Sequence, residues 1–83
     1  MEVNKMFRAE NCKHEIVEHI GVISQRDYGW TLELNRVSWY VGKPAKYDIR
    51  EWDADHIRMS NGITLTEEQA RALYELLKGK FEK

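Results

Sequence analysis

Alternation of apolar and polar residues is the clearest pattern in the chain, and it predicts a small antiparallel sheet. Residues 30–40, WTLELNRVSWY, alternate over almost their whole length, and residues 46–52, KYDIREW, alternate again after the turn sequence VGKPA. A period of two residues is typical of strands that bury one face. Pro44 cannot donate to a strand ladder, which supports a turn between these two strands.

Two further segments complete the predicted sheet. Residues 13 to about 25 are rich in β-branched side chains, and Gly21 in the middle of this segment favours a bulge or a sharp bend. A short fourth strand is predicted within residues 56–65, where the turn sequence SNG can interrupt it. Residues 1–12 show no period and are predicted to be a flexible N-terminal arm, so that a single domain spans residues 13–83.

A helix is predicted at the C-terminal end of the chain. The sequence TEEQ fits a capping box in which Thr66 is the N-cap and Gln69 reaches back to it. Apolar residues then recur at helical spacing, and five of them form the candidate dimer interface: Leu73, Tyr74, Leu76, Leu77 and Phe81. This stripe exceeds what one small sheet face needs, so we predict a homodimer through residues 66–82. The fold class is α+β, with four antiparallel strands followed by one helix.

The helix can cover one face of the sheet, and the opposite face then combines aromatic rings with cations. By alternation Lys46, Arg50 and Trp52 share a face, and Trp39 falls on the polar side of its own strand. Rings on which bases stack, interleaved with cations that follow the phosphates, are typical of single-stranded nucleic-acid binding. Trp30 falls on the apolar side of its strand and is expected to pack in the core.

Charge changes this interpretation only locally. The net charge of −1 argues against nucleic acid. Within residues 36–50, however, four basic residues accompany Asp48 as the single acid. Such a patch can attract phosphate although the molecule as a whole is nearly neutral. Arg50 also has acidic candidates for an ion pair across the sheet, Glu33 and Asp48.

Three blocks, GWTLELNRVSW, KYDIREW and GITLTEEQ, in this order resemble the family of the transcriptional coactivator positive cofactor 4, specifically its short bacterial branch. The resemblance covers residues 13–80 and is densest from 30 to 69. It implies a curved four-stranded antiparallel sheet with a C-terminal helix and a homodimer whose helices pair across the two-fold axis. It also implies binding of single-stranded or unwound DNA with little sequence preference, in transcription regulation or in DNA replication or repair.

The resemblance assigns roles by position. Trp39 matches the stacking aromatic at the end of the second strand, and Trp52 matches the aromatic after the DIRE block. Asn61 replaces a lysine of the eukaryotic members, whose Ser- and Lys-rich regulatory tail has no counterpart in MEVNKMFRAEN. The candidate nucleic-acid-binding residues are Arg36, Trp39, Lys43, Lys46, Arg50, Trp52 and Arg58.

Nothing in the sequence predicts an enzyme, a catalytic residue, a cofactor or a small-molecule substrate. No dinucleotide or P-loop glycine pattern and no GxSxG sequence is present. Asp53, Asp55 and His56 lack the further ligands of a metal site. His14 and His19 are five residues apart on a strand and are expected on opposite faces.

Two alternative functions stay open: a single-stranded RNA-binding module that uses the same surface, and a protein-interaction adaptor, which the net charge of −1 favours. Discrimination of RNA would need contacts to the 2′-hydroxyl. The chain has no apolar run long enough for a membrane span and no signal-peptide core. With Cys12 as its single cysteine, it is expected in the reducing cytoplasm, associated with the nucleoid.

Overall fold

The computed structural model describes residues 14–40 and 42–82, which form four strands and a helix in the predicted order. The elements are β1 (Glu15–Gln25), β2 (Thr31–Ser38), β3 (Lys46–Trp52), β4 (Ile63–Leu65) and the helix α1 (Glu67–Phe81), with a 3-10 turn at Asp27–Gly29 between β1 and β2. Each strand pairs antiparallel with the next, in the sheet order β1-β2-β3-β4. The predicted α+β class is confirmed, and the predicted arm over 1–12 lies outside the described residues.

β1 is the most irregular strand. Its register with β2 shifts at three places, between Ile16 and Glu18, between His19 and Gly21, and between Val22 and Ser24. Extra residues of this kind bend a strand and increase its twist. The irregularity predicted at Gly21 is therefore confirmed, and it is accompanied by two others.

β4 is shorter than predicted. It spans only Ile63–Leu65, and the preceding segment touches β3 through an isolated bridge between Trp52 and Met59. Gly62 is required here because a Cβ at this position would lie 2.3 Å from the Cβ of Arg50 and 2.4 Å from the carbonyl oxygen of Ile49. The chain therefore enters β4 pressed directly against β3.

The two faces of the sheet differ in what they bury. The first, here called the polar face, carries alternate residues of β2 and β3: Thr31, Glu33, Asn35, Val37, Lys46, Asp48, Arg50 and Trp52. The second, the helix face, carries the residues between them and lies under α1. The five fully buried residues of the described chain all lie on the polar face. Three are polar or charged, namely Glu33, Asn35 and Asp48, and two are apolar, namely Val37 and Trp52.

The helix begins as predicted. Thr66 accepts a hydrogen bond from the backbone N–H of Gln69 at 3.1 Å, and the Gln69 side chain accepts one from the Thr66 N–H at 3.0 Å. The Tyr47 hydroxyl donates to Glu67 at 3.2 Å, which fastens the first turn of α1 to β3. Within residues 14–40 and 42–82 no helix has the length and apolar character needed to cross a membrane.

The helix face is only partly covered by α1. The predicted interface residues are exposed by 37% at Leu73, 56% at Tyr74, 73% at Leu76, 46% at Leu77 and 75% at Phe81. An apolar groove of about 520 Å³ runs between the helix and the sheet. Leu34 and Ile49 form part of its floor and are only partly buried. One chain therefore leaves this face without a complete cover.

Candidate nucleic-acid interface

The connection from β2 to β3 is fixed by a serine and a glycine. The Ser38 hydroxyl is a donor to the carbonyl oxygens of Tyr40, at 3.1 Å, and Lys43, at 2.8 Å. The Lys43 N–H donates to the same Tyr40 oxygen at 3.0 Å. Gly42 has a φ of +82°, in the left-handed region that favours glycine. This turn holds its aromatic and cationic side chains at one end of the sheet.

An open groove of about 750 Å³ lies beside this turn. We call it the Trp39 groove; its lining residues are Trp39, Tyr40, Lys43, Pro44, Lys46, Arg50, Met59 and Thr64. Four of the residues predicted from the sequence therefore meet in one place. Tyr40, which is 52% exposed, was missed, although its position directly after Trp39 was the available signal.

Arg50 is held by protein groups and is not a freely solvated cation. Its Nε and Nη2 donate to the two carboxylate oxygens of Asp48 at 2.7 and 2.8 Å. The Arg50 side chain is 14% exposed, and that of Asp48 is 0% exposed. The guanidinium carbon lies 4.5 Å from the centroid of the Trp39 ring. The ion pair with Asp48 is one of the two pairings that the sequence suggested.

Lys43 and Lys46 are the exposed cations of the groove. No carboxylate among residues 14–40 and 42–82 lies within ion-pair distance of either ammonium group. Exposed lysines of this kind can move to meet a phosphate, because their charge sits on a flexible stem. The groove therefore joins a partly buried indole, an exposed phenol ring and two available positive charges.

Trp52 lies on the predicted face, but the expectation that its ring is open to solvent is wrong. The residue is 0% exposed. Its ring lies between His14, with centroids 5.2 Å apart, and His56, with centroids 5.8 Å apart and planes 29° from parallel. The alternation of residues in β3 predicted the face on which Trp52 lies. It could not predict that His14, before β1, and His56, after β3, cover the Trp52 ring.

His14 and His19 lie on the same face, contrary to the expectation from their spacing. His14 packs against Trp52, and His19 Nδ1 lies 2.7 Å from the Asn35 amide oxygen on the polar face. The register shift between Ile16 and Glu18 reverses the alternation between the two histidines. Burial lowers the pKa of His14, and the charge of Arg50 lowers it further.

His56 is fixed by the buried carboxylate of Glu33. Its Nε2 lies 2.8 Å from one carboxylate oxygen and 3.1 Å from the other, and the Glu33 side chain is 2% exposed. The Thr31 hydroxyl and the Asn35 amide also donate to this carboxylate. Burial raises the pKa of Glu33, but the hydrogen bonds from Thr31, Asn35 and His56 outweigh burial and hold the pKa below its ordinary value.

The loop that carries His56 is closed by Asp53. The Asp53 carboxylate accepts from the backbone N–H groups of Ile57 at 2.8 Å and Arg58 at 3.1 Å. His56 itself has a φ of +58°, which is uncommon for a residue other than glycine. The hydrogen bonds to Asp53 and Glu33 hold this conformation, and the His56 ring is thereby kept over Trp52.

The structure corrects the predictions for Arg36 and Trp30, whereas the nucleic-acid contact expected of Arg58 stays a prediction. Arg36 lies on the helix face, where its guanidinium sits 5.6 Å from the Tyr47 ring centroid and 3.7 Å from a Glu18 carboxylate oxygen. Arg58 is exposed in the loop after β3 and does not line the Trp39 groove. Trp30 was expected in the core but is only partly buried, and it lies directly before the start of β2.

Comparison with known proteins agrees with this architecture. The family model described as "Transcriptional Coactivator p15 (PC4)" matches residues 27–76. That range contains β2, β3, β4, the Trp39 groove and most of α1. A protein of Treponema pallidum (strain Nichols), described as an uncharacterized protein, is 44% identical over 68 residues, which cover 82% of this chain and 79% of that protein.

Proposed function

The chain belongs to the family of the transcriptional coactivator p15 (PC4), and on this premise we propose that it binds single-stranded DNA in the Trp39 groove. The observation that carries the proposal is the meeting of Trp39 and Tyr40 with Lys43 and Lys46 in one open groove. Family membership itself supports single-stranded DNA binding and a role connected with transcription.

The proposed mechanism is binding without a chemical step. A base stacks against the aromatic side chains of the groove, and the lysines neutralise the phosphates on either side of it. Stacking of a base on an aromatic side chain contributes about 1–3 kcal/mol and tolerates every base, because each base has a π-face. No metal, cofactor or small-molecule substrate takes part in this mechanism, and the sequence preference is expected to be weak.

A preference for single strands follows from the same geometry. In a duplex the faces of the bases are stacked on their neighbours, so that a ring such as Trp39 cannot reach them without unwinding. A single strand presents unstacked bases together with a phosphate chain. We place this activity in the cytoplasm, in association with the nucleoid, and in transcription regulation or in DNA replication or repair.

The helix face supports a second part of the proposal, which is a homodimer through α1. The exposed stripe and the apolar groove beside it are continuous, and the stripe residues are exposed by 37% to 75%. Apolar surface of this extent on a small domain marks an interaction site. A second copy of the chain offers a matching stripe, because an interface around a two-fold axis uses the same patch twice.

Titration with fluorescent oligo-dT, oligo-U and duplex DNA at two salt concentrations tests the function. We expect tight binding of oligo-dT, weaker binding of the duplex, and a loss of affinity as salt rises. Equal affinity for duplex and single strand would contradict the proposal. Stronger binding of oligo-U would favour an RNA-binding module, and the absence of binding to all three would favour a protein-interaction adaptor.

A further inference from the structure

The guanidinium of Arg50 has few donors left for a ligand. A guanidinium carries five N–H groups. Nε and Nη2 each donate to Asp48, and Nη1 donates to the Ser60 carbonyl oxygen at 3.3 Å and to the Met59 sulfur at 3.6 Å, which uses four of the five. The carboxylate of Asp48 also balances the positive charge. A phosphate that approached Arg50 would therefore meet a neutral pair and a single free N–H.

Asp48 is itself fixed in place. Its side chain is 0% exposed, and the Thr64 hydroxyl donates to its second oxygen at 3.0 Å. The segment before β4 packs against Arg50 from the other side, since Gly62 leaves no room for a Cβ between itself and the Arg50 Cβ. Neither partner of the ion pair can change its side-chain conformation without breaking several of these contacts.

The ion pair holds the guanidinium of Arg50 against the ring of Trp39. The guanidinium carbon lies 4.5 Å from the centroid of the Trp39 ring, within the range of a cation–π contact. His14 also lies near this ring, with centroids 6.0 Å apart. Planar guanidinium groups stack on aromatic faces, whereas the compact ammonium of lysine does not reproduce that contact.

We propose that Asp48 is a positioning residue that holds Arg50 stacked on Trp39, so that Arg50 forms part of the base-stacking platform and does not neutralise phosphate. Phosphate neutralisation in the groove then belongs to Lys43 and Lys46. The inference rests on the proposed single-stranded DNA binding and assigns separate tasks to the cations of that one site.

The salt dependence of binding separates the two roles. Each cation that neutralises a phosphate of a single strand contributes about −0.7 to the slope of log K against log salt. We expect Lys46→Gln to make the slope less steep by about 0.7 for each bound groove. Arg50→Gln should weaken oligo-dT binding by about 2- to 30-fold, the range of a cation–π contact, and leave the slope unchanged.

Asp48→Asn tests the positioning role directly. Removal of the opposing charge should free Arg50 for phosphate and make the slope steeper by about 0.7, although the affinity at low salt falls because the platform is lost. In the double variant Asp48→Asn/Arg50→Gln the slope should return to the wild-type value. A residue that only stabilised the fold would not change the salt slope in this pattern.

A measurement on the wild-type chain tests the proposal even if the variants do not fold. The Nε–H NMR signal of Arg50 should stay protected from solvent exchange when oligo-dT is added, because the ion pair with Asp48 persists in the complex. Loss of that protection, or a slope that falls by about 0.7 in Arg50→Gln, would overturn the role given to Arg50 while DNA binding stood. Failure of the wild type to bind oligo-dT would overturn the proposed function as well.

Discussion

The two faces of the sheet are built from alternate residues of the same two strands, yet they bury different chemistry. The polar face holds a hydrogen-bonded network around Glu33 and Asp48, both almost completely buried within a single chain. The helix face holds apolar side chains that one helix leaves largely exposed. Buried polar groups fix a unique arrangement only when each of them is hydrogen-bonded. An apolar face, in contrast, gains stability from any cover that removes water.

Because of this difference, the polar face mainly determines the stability of one chain, and the helix face mainly determines association between chains. The polar face buries the networks around Glu33 and Asp48 within one chain, and in its Trp39 groove an aromatic ring and two lysines remain available. The helix face is incomplete until a second surface covers it. Substitutions on the polar face should therefore change folding or DNA binding, and substitutions on the exposed stripe of α1 should change association.

The largest effect is expected at Trp52. Trp52→Ala should lower the free energy of unfolding by about 3–5 kcal/mol, because it removes a fully buried indole from between two histidine rings. Chemical denaturation monitored by circular dichroism measures the change in the free energy of unfolding. Tyr28→Ala is a suitable control, since Tyr28 is 96% exposed and should matter little. A Trp52 variant as stable as the control would mean that the ring is not a packing residue.

Leu76→Glu should act on the other face. Leu76 is 73% exposed in the single chain, so a carboxylate there is harmless to the monomer. In a dimer the unpaired polar group would be buried, at a cost of about 2 kcal/mol or more per subunit. Light scattering should show a dimeric wild type and a folded, monomeric variant. Glu75→Lys changes a charge on the side of α1 that faces away from the stripe and should remain dimeric; a monomeric wild type would refute the interface.

Glu33→Gln should weaken the polar face. The loss of the charged acceptor for His56 and Thr31 is expected to cost about 1–3 kcal/mol near neutral pH. Because the folded pKa of Glu33 is depressed, its contribution is present above the ordinary pKa of about 4.3 and is lost as the pH falls through the folded value. The melting temperatures of the variant and the wild type should converge as the pH is lowered from neutral to acidic. A difference in melting temperature that stays constant with pH would contradict this role of Glu33.

A smaller effect is expected from His14. The folded state disfavours its protonated form, so the free energy of unfolding should decrease as the pH drops below the ordinary histidine pKa of about 6.5. His14→Gln keeps a polar side chain and removes the titration. Its melting temperature should vary less than that of the wild type between about pH 7.5 and 5.5. An identical pH dependence in both proteins would exclude a contribution from His14.

Local patterns were sufficient to predict the kind and the succession of the elements, although β4 is shorter than predicted. The alternation in KYDIREW gave the bounds of β3, and TEEQ gave the helix start, because both depend on neighbours a few residues away. The same alternation assigned Trp52, Arg50 and Asp48 to one face. Pairing between adjacent regular strands was predictable for the same reason.

What could not be predicted depends on contacts between distant residues. The cover of Trp52 comes from His14 and His56, which approach it from two other segments of the chain. The register shifts of β1 moved His14 to the same face as His19, and no single residue in the sequence marks the first shift. The neutralisation of Arg50 by Asp48 was one of two pairings that the alternation permitted.

The central claim is that Trp39 is the binding ring of the polar face and Trp52 its packing ring. A paired measurement on Trp39→Ala tests it most directly: oligo-dT affinity by fluorescence anisotropy, and stability by thermal melting on the same sample. The account predicts an affinity about 5- to 150-fold weaker, the range for the loss of one stacked base, with a smaller loss of stability than in Trp52→Ala. Unchanged affinity in a folded Trp39→Ala protein would contradict it.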